Sequence, residues 1–156
     1  MRKKRKTKRM TSPDFRFGSR PVQKFINMMM VKGKKSLAER IVYGALDSAS
    51  QKVNVTNPLD LFQKAVENAR PLVEVKSRRV GGATYQVPIE VRQDRGTFLA
   101  MRWLRDFSRA RTGKPMKDRL VEELIAAYQG TGSAVKRKED IHKMAEANKA
   151  FSHYRW

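Results

Sequence analysis

The sequence predicts a mainly α-helical, single-domain bundle of about six helices from which one two-stranded antiparallel β-ribbon protrudes. Three observations carry that prediction. Apolar residues recur at helical spacing in segments separated by proline and glycine. The stretch LVEVKSRRVGGATYQVPIEV at 72–91 instead alternates with period two on both sides of a Gly-Gly pair. The chain has 156 residues, enough for one domain with a core and short for two.

The first segment, MRKKRKTKRMTS, places Arg2, Lys3, Lys4, Arg5, Lys6, Lys8 and Arg9 together with almost nothing apolar to bury. Residues 1–12 therefore read as a disordered arm that orders on phosphates. A nuclear localisation signal is the competing motif reading, but positive charge continues through the whole chain. The helical domain then spans 13–148. Ser12, Pro13, Asp14 and Gly18 mark a turn, with Phe15 and Phe17 expected to anchor it to the core.

Ser19 and Pro21 open the first helix, whose buried face is Val22, Phe25, Ile26, Met29 and Met30; Gly33 ends it. Lys32, Lys34 and Lys35 fill the following connection, either as a solvated loop or as an RNA contact. The capping box Ser36-Leu37-Ala38-Glu39 should start the second helix, with Ala38, Ile41, Val42, Ala45, Leu46 and Ala49 inward. Asn57-Pro58 caps a third helix with Phe62, Ala65, Val66 and Ala69 inward, and Pro71 stops it.

The ribbon follows. With Gly81, Gly82 and Ala83 as its loop, Val75 faces Ile89, Val73 faces Val91 and Ser77 faces Val87, which would make one face an apolar stripe. Near the turn stand Lys76, Arg78 and Arg79 on one strand and Thr84, Tyr85 and Gln86 on the other. Tyr85 has no obvious core to enter. Pro88 lacks an N–H and fits only a strand with a free ladder side, so no larger sheet is expected. The plain alternative is an ordinary surface hairpin with solvated charges.

A fourth helix runs from about Gln93 to Arg111, just after Arg92, with Ala100, Trp103, Leu104 and Phe107 inward. Arg95, Arg102, Arg105 and Arg109 project from its remaining surface, beside the ribbon base. Together with the ribbon they predict one positive wall. Lys114-Pro115 opens a fifth helix with Leu120, Leu124, Ala127 and Tyr128 inward, and Gly130-Thr131-Gly132 breaks it. Ser133 begins the last helix, where Lys136, Arg137 and Lys138 oppose the positive end of the helix dipole and call for a nearby anion. Ile141, Met144 and Ala145 give it only a thin apolar face. The tail at 149–156 ends in Phe151, Ser152, His153, Tyr154, Arg155 and Trp156, a cluster of rings and a cation with three uses open to the rings: folding back on the core, stacking on bases or filling a protein pocket.

A formal charge of +20 opposes compaction unless a partner neutralises it, and nucleic acid is the natural counterion. There is no long apolar run, secretion signal or lipidation signal, so neither a membrane nor export is expected. The chain has no cysteine, which rules out disulfides, zinc ribbons and a thiol nucleophile. His142 and His153 lack metal-type neighbours, and Glu122-Glu123 and Glu139-Asp140 read as helix surface or dipole partners. Gly33-Lys34-Lys35-Ser36 lacks the glycine-rich turn and preceding strand of a phosphate-binding loop. The chain therefore reads as a non-enzyme with no cofactor, metal or small-molecule substrate.

At VEVKSRRVGGATYQVPIEV, at MRWL from Met101, at KRKEDIHKMAEANKAFSHYRW and at KFINMMMVKGKKSLAERIVYGAL, the chain closely resembles bacterial-type small-subunit ribosomal protein seven. The resemblance implies a cytoplasmic ribosomal protein that binds the 3′ major domain of small-subunit ribosomal RNA and nucleates assembly of the subunit head. It also implies a ribbon near exit-site transfer RNA and upstream messenger RNA, and small-subunit ribosomal proteins nine and eleven as neighbours. In some bacteria the family also represses its own messenger. The rival from another class is a DNA-bending architectural protein using a basic β-arm, whose wedge residue belongs at the tip, whereas Pro88 lies well down its strand.

Overall fold

A computed structural model describes residues 11–154. Along them run α1 (Arg20–Met29), α2 (Lys35–Val53), α3 (Pro58–Ala69), β1 (Val73–Val80), β2 (Ala83–Glu90), α4 (Gln93–Ala110), α5 (Met116–Tyr128), α6 (Ser133–Ala147) and a 3-10 helix, Lys149–Tyr154. The mainly helical bundle with one antiparallel ribbon is therefore as the sequence predicts.

Helix α5 is central and packs on α2, α3 and α4, while α1 rests on α2 and α4. Phe25 and Phe62 meet with ring centroids 5.3 Å apart, and Ile26, Leu46, Leu61, Met101, Leu104, Leu120 and Leu124 close the core around them. Each such side chain contributes about 1.5–3 kcal/mol by leaving water. That burial is what holds so cationic a chain compact.

Several local expectations change. Phe15 does not anchor the first turn; it stands fully in solvent, and the buried residue is Asp14, at 2% exposure. The Asp14 carboxylate accepts the N–H groups of Arg16 and Phe17 and the Tyr43 hydroxyl, so the turn closes around the acid and turns Phe15 outward. Phe17 does pack, edge-on to Tyr43. Ser19 sits at the α1 N-cap without a side-chain capping bond.

The Ser36–Glu39 capping box does not form. Lys32 and Gly33 both have positive φ, 51° and 75°, and turn the chain so sharply that α2 begins at Lys35, before Ser36. Glu39 then lies 3.6 Å from the Lys35 ammonium. At α3 the Asn57 side chain caps as read, accepting the Leu59 N–H at 3.1 Å.

The ribbon register is one residue away from that expected. Gly81 and Gly82 have φ of 56° and 91°, which makes a two-residue turn, so Ala83 enters the ladder opposite Val80. Val75 therefore faces Pro88, Lys76 faces Val87 and Arg78 faces Tyr85. Because side chains alternate, Val87 and Ile89 share a face with Tyr85, Lys76 and Arg78, while Val73 and Val75 lie on the other. No single apolar stripe exists; both faces are partly apolar, and Val87 is buried. The ribbon packs on α6 and, through β2, on the 3-10 helix.

Two contacts fix the ribbon's root. The Val91 N–H donates to the Leu72 carbonyl at 2.9 Å, and the Leu72 N–H donates to His142 Nε2 at 3.1 Å. Gly96 brings α4 against the same junction, since a Cβ there would sit 2.9 Å from Arg70 Cγ and 3.1 Å from the Pro71 carbonyl oxygen.

In α4 the buried residues are Gly96, Ala100, Met101, Leu104 and Ser108, whereas Trp103 and Phe107 are half-buried against the core. In α6 they are Ala134, Val135 and Ala145; Ile141 is half-buried and Met144 exposed. No described helix is long and apolar enough to cross a membrane.

Candidate nucleic-acid interface

The predicted cations from Arg2 to Arg9 lie outside the described residues. Those that are described fall into three groups, two of them assembled by packing from segments far apart in sequence and the third carried by the ribbon and the start of α4.

The first is the α1–α2 corner. Lys32, Lys34 and Lys35 are exposed there, and α2 has no acid in its first turn to offset them. Arg109 reaches this corner from α4 by donating to the Met29 carbonyl at 3.1 Å, which satisfies the end of α1. Lys32, Lys34 and Arg109 then rim a hollow of about 310 Å³ floored by Met29, Val31, Leu37 and Met116. Val31 and Leu37 are 54% and 47% exposed. Sequence reasoning missed both; the available signal is that they flank the lysines outside either helix's buried register.

The second group lines a groove of about 470 Å³ between the ribbon base, α4 and α6. Val75, Trp103, Phe107 and Met144 supply apolar surface, and Arg102 and Arg137 supply charge. Asp106 moderates it. Its carboxylate lies 3.5 Å from Arg102 Nε and 2.6 Å from an Arg105 guanidinium nitrogen. Lys136 is exposed one position before Arg137. Lys138 points inward, its ammonium donating to the Asn68 carbonyl at 2.6 Å, where it satisfies the last turn of α3.

The third group is the ribbon. Lys76, Arg78 and Tyr85 share one face, and Arg79 lies on the other with Thr84. Tyr85 is not free at the tip: Phe151 and Tyr154 pack against it with tilted rings, centroids 5.2 and 5.0 Å away. Phe151 and Tyr154 fold back, but onto the ribbon and not onto the core. At the base, Arg95 Nε donates to both Glu74 oxygens at 2.9 Å, and this bond and charge raise the guanidinium pKa further. Lys76 lies 3.8 Å from the same carboxylate. Arg92 is exposed at the α4 N-cap.

The predicted positive wall is thus interrupted by Glu74 and Asp106, which tie Arg95, Arg102 and Arg105 into the scaffold. The anion called for at the start of α6 is Glu123; of the two readings open to it, helix surface or dipole partner, the structure takes the second. It is wholly buried on α5, and its carboxylate accepts the Ala134 N–H at 3.0 Å and an Arg111 N–H at 2.7 Å. No His, Cys, Asp or Glu grouping among the described residues could hold a metal ion.

Exposed cations beside half-open apolar floors suit a ligand that presents phosphates and planar bases together. Residues 1–149 match the family described as ribosomal protein S7p/S5e. The chain is 56% identical over 156 residues to the small ribosomal subunit protein uS7 of Thermotoga maritima, covering 100% of both. It is 62% identical over 149 residues to the protein of that name from Cellvibrio japonicus, covering 96% of this chain and 95% of that one. Against the protein of that name from Anaeromyxobacter sp. the figure is 59% over 155 residues, 99% of each.

Proposed function

Because the chain belongs to the ribosomal protein S7p/S5e family of the small ribosomal subunit, we propose that it binds the 3′ major domain of small-subunit ribosomal RNA and nucleates assembly of the subunit head. In this reading it works in the cytoplasm, within the ribosome. Residues 1–12 follow phosphates as an arm, and the helical body holds the corner, groove and ribbon in a fixed layout. Exit-site transfer RNA and messenger RNA lie near the ribbon, with small-subunit ribosomal proteins nine and eleven as neighbours.

One observation carries the reading. Packing brings Arg109 of α4 to the lysine corner of α1 and α2, and Arg137 of α6 to the groove that Arg102 lines. Cations spread along a chain attract any polyanion, whereas cations fixed at set separations favour a polyanion of matching shape.

Competition binding tests it. The full chain should prefer a transcript of the 3′ major domain to duplex DNA of equal length and to heparin. Preference for the DNA would favour an architectural protein, and equal attraction to heparin would make the layout irrelevant.

A further inference from the structure

Phe15 is the most exposed large apolar side chain among the described residues, at 102% relative exposure. Its neighbours are all held. The Asp14 carboxylate accepts the Arg16 and Phe17 N–H groups at 3.1 and 2.8 Å, as well as the Tyr43 hydroxyl. Arg16 lays its guanidinium 5.1 and 5.6 Å from the Phe17 and Tyr43 ring centroids and forks onto the Asp47 carboxylate at 2.8 and 3.1 Å. The Gly18 N–H closes the turn onto the Asp14 carbonyl at 3.0 Å, and the Asp14 N–H donates to the Ser19 carbonyl. A ring on a slack loop could turn away from any surface. Here both flanks are pinned and the ring stands clear.

Charge selects what covers it. The run from Arg2 to Arg9 precedes this turn, and Arg9 is six residues before Phe15, a span of at most about 21 Å of backbone. A phosphate engaged by that run puts bases of the same strand within reach of the ring. Aromatic side chains beside cations hold unpaired bases by stacking, whatever the base.

We propose that the Asp14–Phe17 turn presents Phe15 as a stacking platform for one unpaired nucleobase of the RNA whose phosphates the basic run engages. The inference rests on the RNA-binding reading above. Asp14 and Tyr43 are positioning residues in it, since they act only by holding the turn.

The test measures binding of the full chain and its variants to a Thermotoga maritima 3′ major domain transcript across a salt series. Phe15→Ala should weaken binding roughly 5- to 100-fold with the slope of log affinity against log salt unchanged, because stacking releases no counterions. Phe15→Trp should bind like the wild type, and Phe15→Leu should behave like Phe15→Ala. Full affinity in either Phe15→Ala or Phe15→Leu overturns the platform, as does a shallower slope in Phe15→Ala. Thermal midpoints should stay at the wild-type value, since the ring packs on nothing. If the wild type fails to bind the transcript, the functional reading falls and takes this inference with it; tight wild-type binding with no loss in Phe15→Ala removes the platform alone. In a reconstituted subunit, benzoylphenylalanine at position 15 should crosslink to RNA, and a crosslink to protein alone would overturn the assignment.

Discussion

Glu123 of α5 caps α6 from outside: its buried carboxylate accepts the Ala134 N–H at 3.0 Å while Arg111 holds its other oxygen at 2.7 Å. A helix whose own first turns carry Lys136, Arg137 and Lys138 thereby gains a negative charge at its positive end. Gly132 leaves room for it, since a Cβ there would lie 3.1 Å from Glu123 Oε1.

Removing that carboxylate should cost stability well beyond an ordinary surface change. Glu123→Ala strands the buried Ala134 N–H and leaves Arg111 only its longer contact with Glu122 at 3.4 Å, and an expected loss is about 1–3 kcal/mol. Glu123→Gln keeps an acceptor and should lose less. Denaturant midpoints check this; equal midpoints for Glu123→Ala and the wild type would show that the cap contributes nothing.

The His142–Leu72 bond makes the ribbon root sensitive to acid. His142 Nε2 accepts from Leu72, which requires the neutral ring, and burial followed by the nearby Lys138 charge lowers its pKa below the ordinary 6.5. A lowered folded-state pKa means that the unfolded chain takes up the proton first. The stabilisation is therefore complete above about pH 6.5 and is lost as pH falls through the window between 6.5 and the lower folded value. Thermal midpoints from pH 7.5 down to 5.5 should drop more steeply in the wild type than in His142→Gln, and parallel curves would sink the assignment.

Tyr85 should hold the 3-10 helix on the ribbon. Two ring contacts at 5.2 and 5.0 Å are worth about 0.5–1.5 kcal/mol each, and no residue of that helix is fully buried. Tyr85→Ala should therefore speed amide exchange at Phe151, whose N–H donates to the Asn148 carbonyl, and Tyr85→Phe should leave it unchanged. Unaltered exchange in Tyr85→Ala would mean that other contacts hold the tail.

Cations of the ribbon and of α6 should separate in a salt series. Replacing Arg78 and Arg79 by alanine should reduce the slope of log affinity for RNA against log salt by up to about two units. Lys138→Ala should leave the slope alone and lower stability, because its ammonium is committed to the Asn68 carbonyl. A reduced slope in Lys138→Ala, or an unchanged one in the arginine pair, would contradict this division.

Much of the fold was legible because its signals are local. The faces of α1, α2 and α3, the Asn57 cap and the presence of a hairpin at Gly81-Gly82 each depend on residues a few positions apart, which spacing displays directly, although the loop was read one residue too long. The candidate interface was legible as a set of cations and not as a partition among them. Nothing near Lys138 in sequence announces Asn68, and nothing near Arg109 announces Met29, 80 residues away.

By itself, then, the sequence determined the helices, the existence of a ribbon, the excess of positive charge and the resemblance to a ribosomal family. The ribbon's register followed from a turn one residue shorter than spacing suggested, and the tertiary structure decided the outward position of Phe15, the burial of Glu123 and which cations are tied to the scaffold. The physical reason is range. Periodicity and turn chemistry act over one or two turns of chain, whereas a carbonyl, a carboxylate and a cation find one another only after packing has closed the distance.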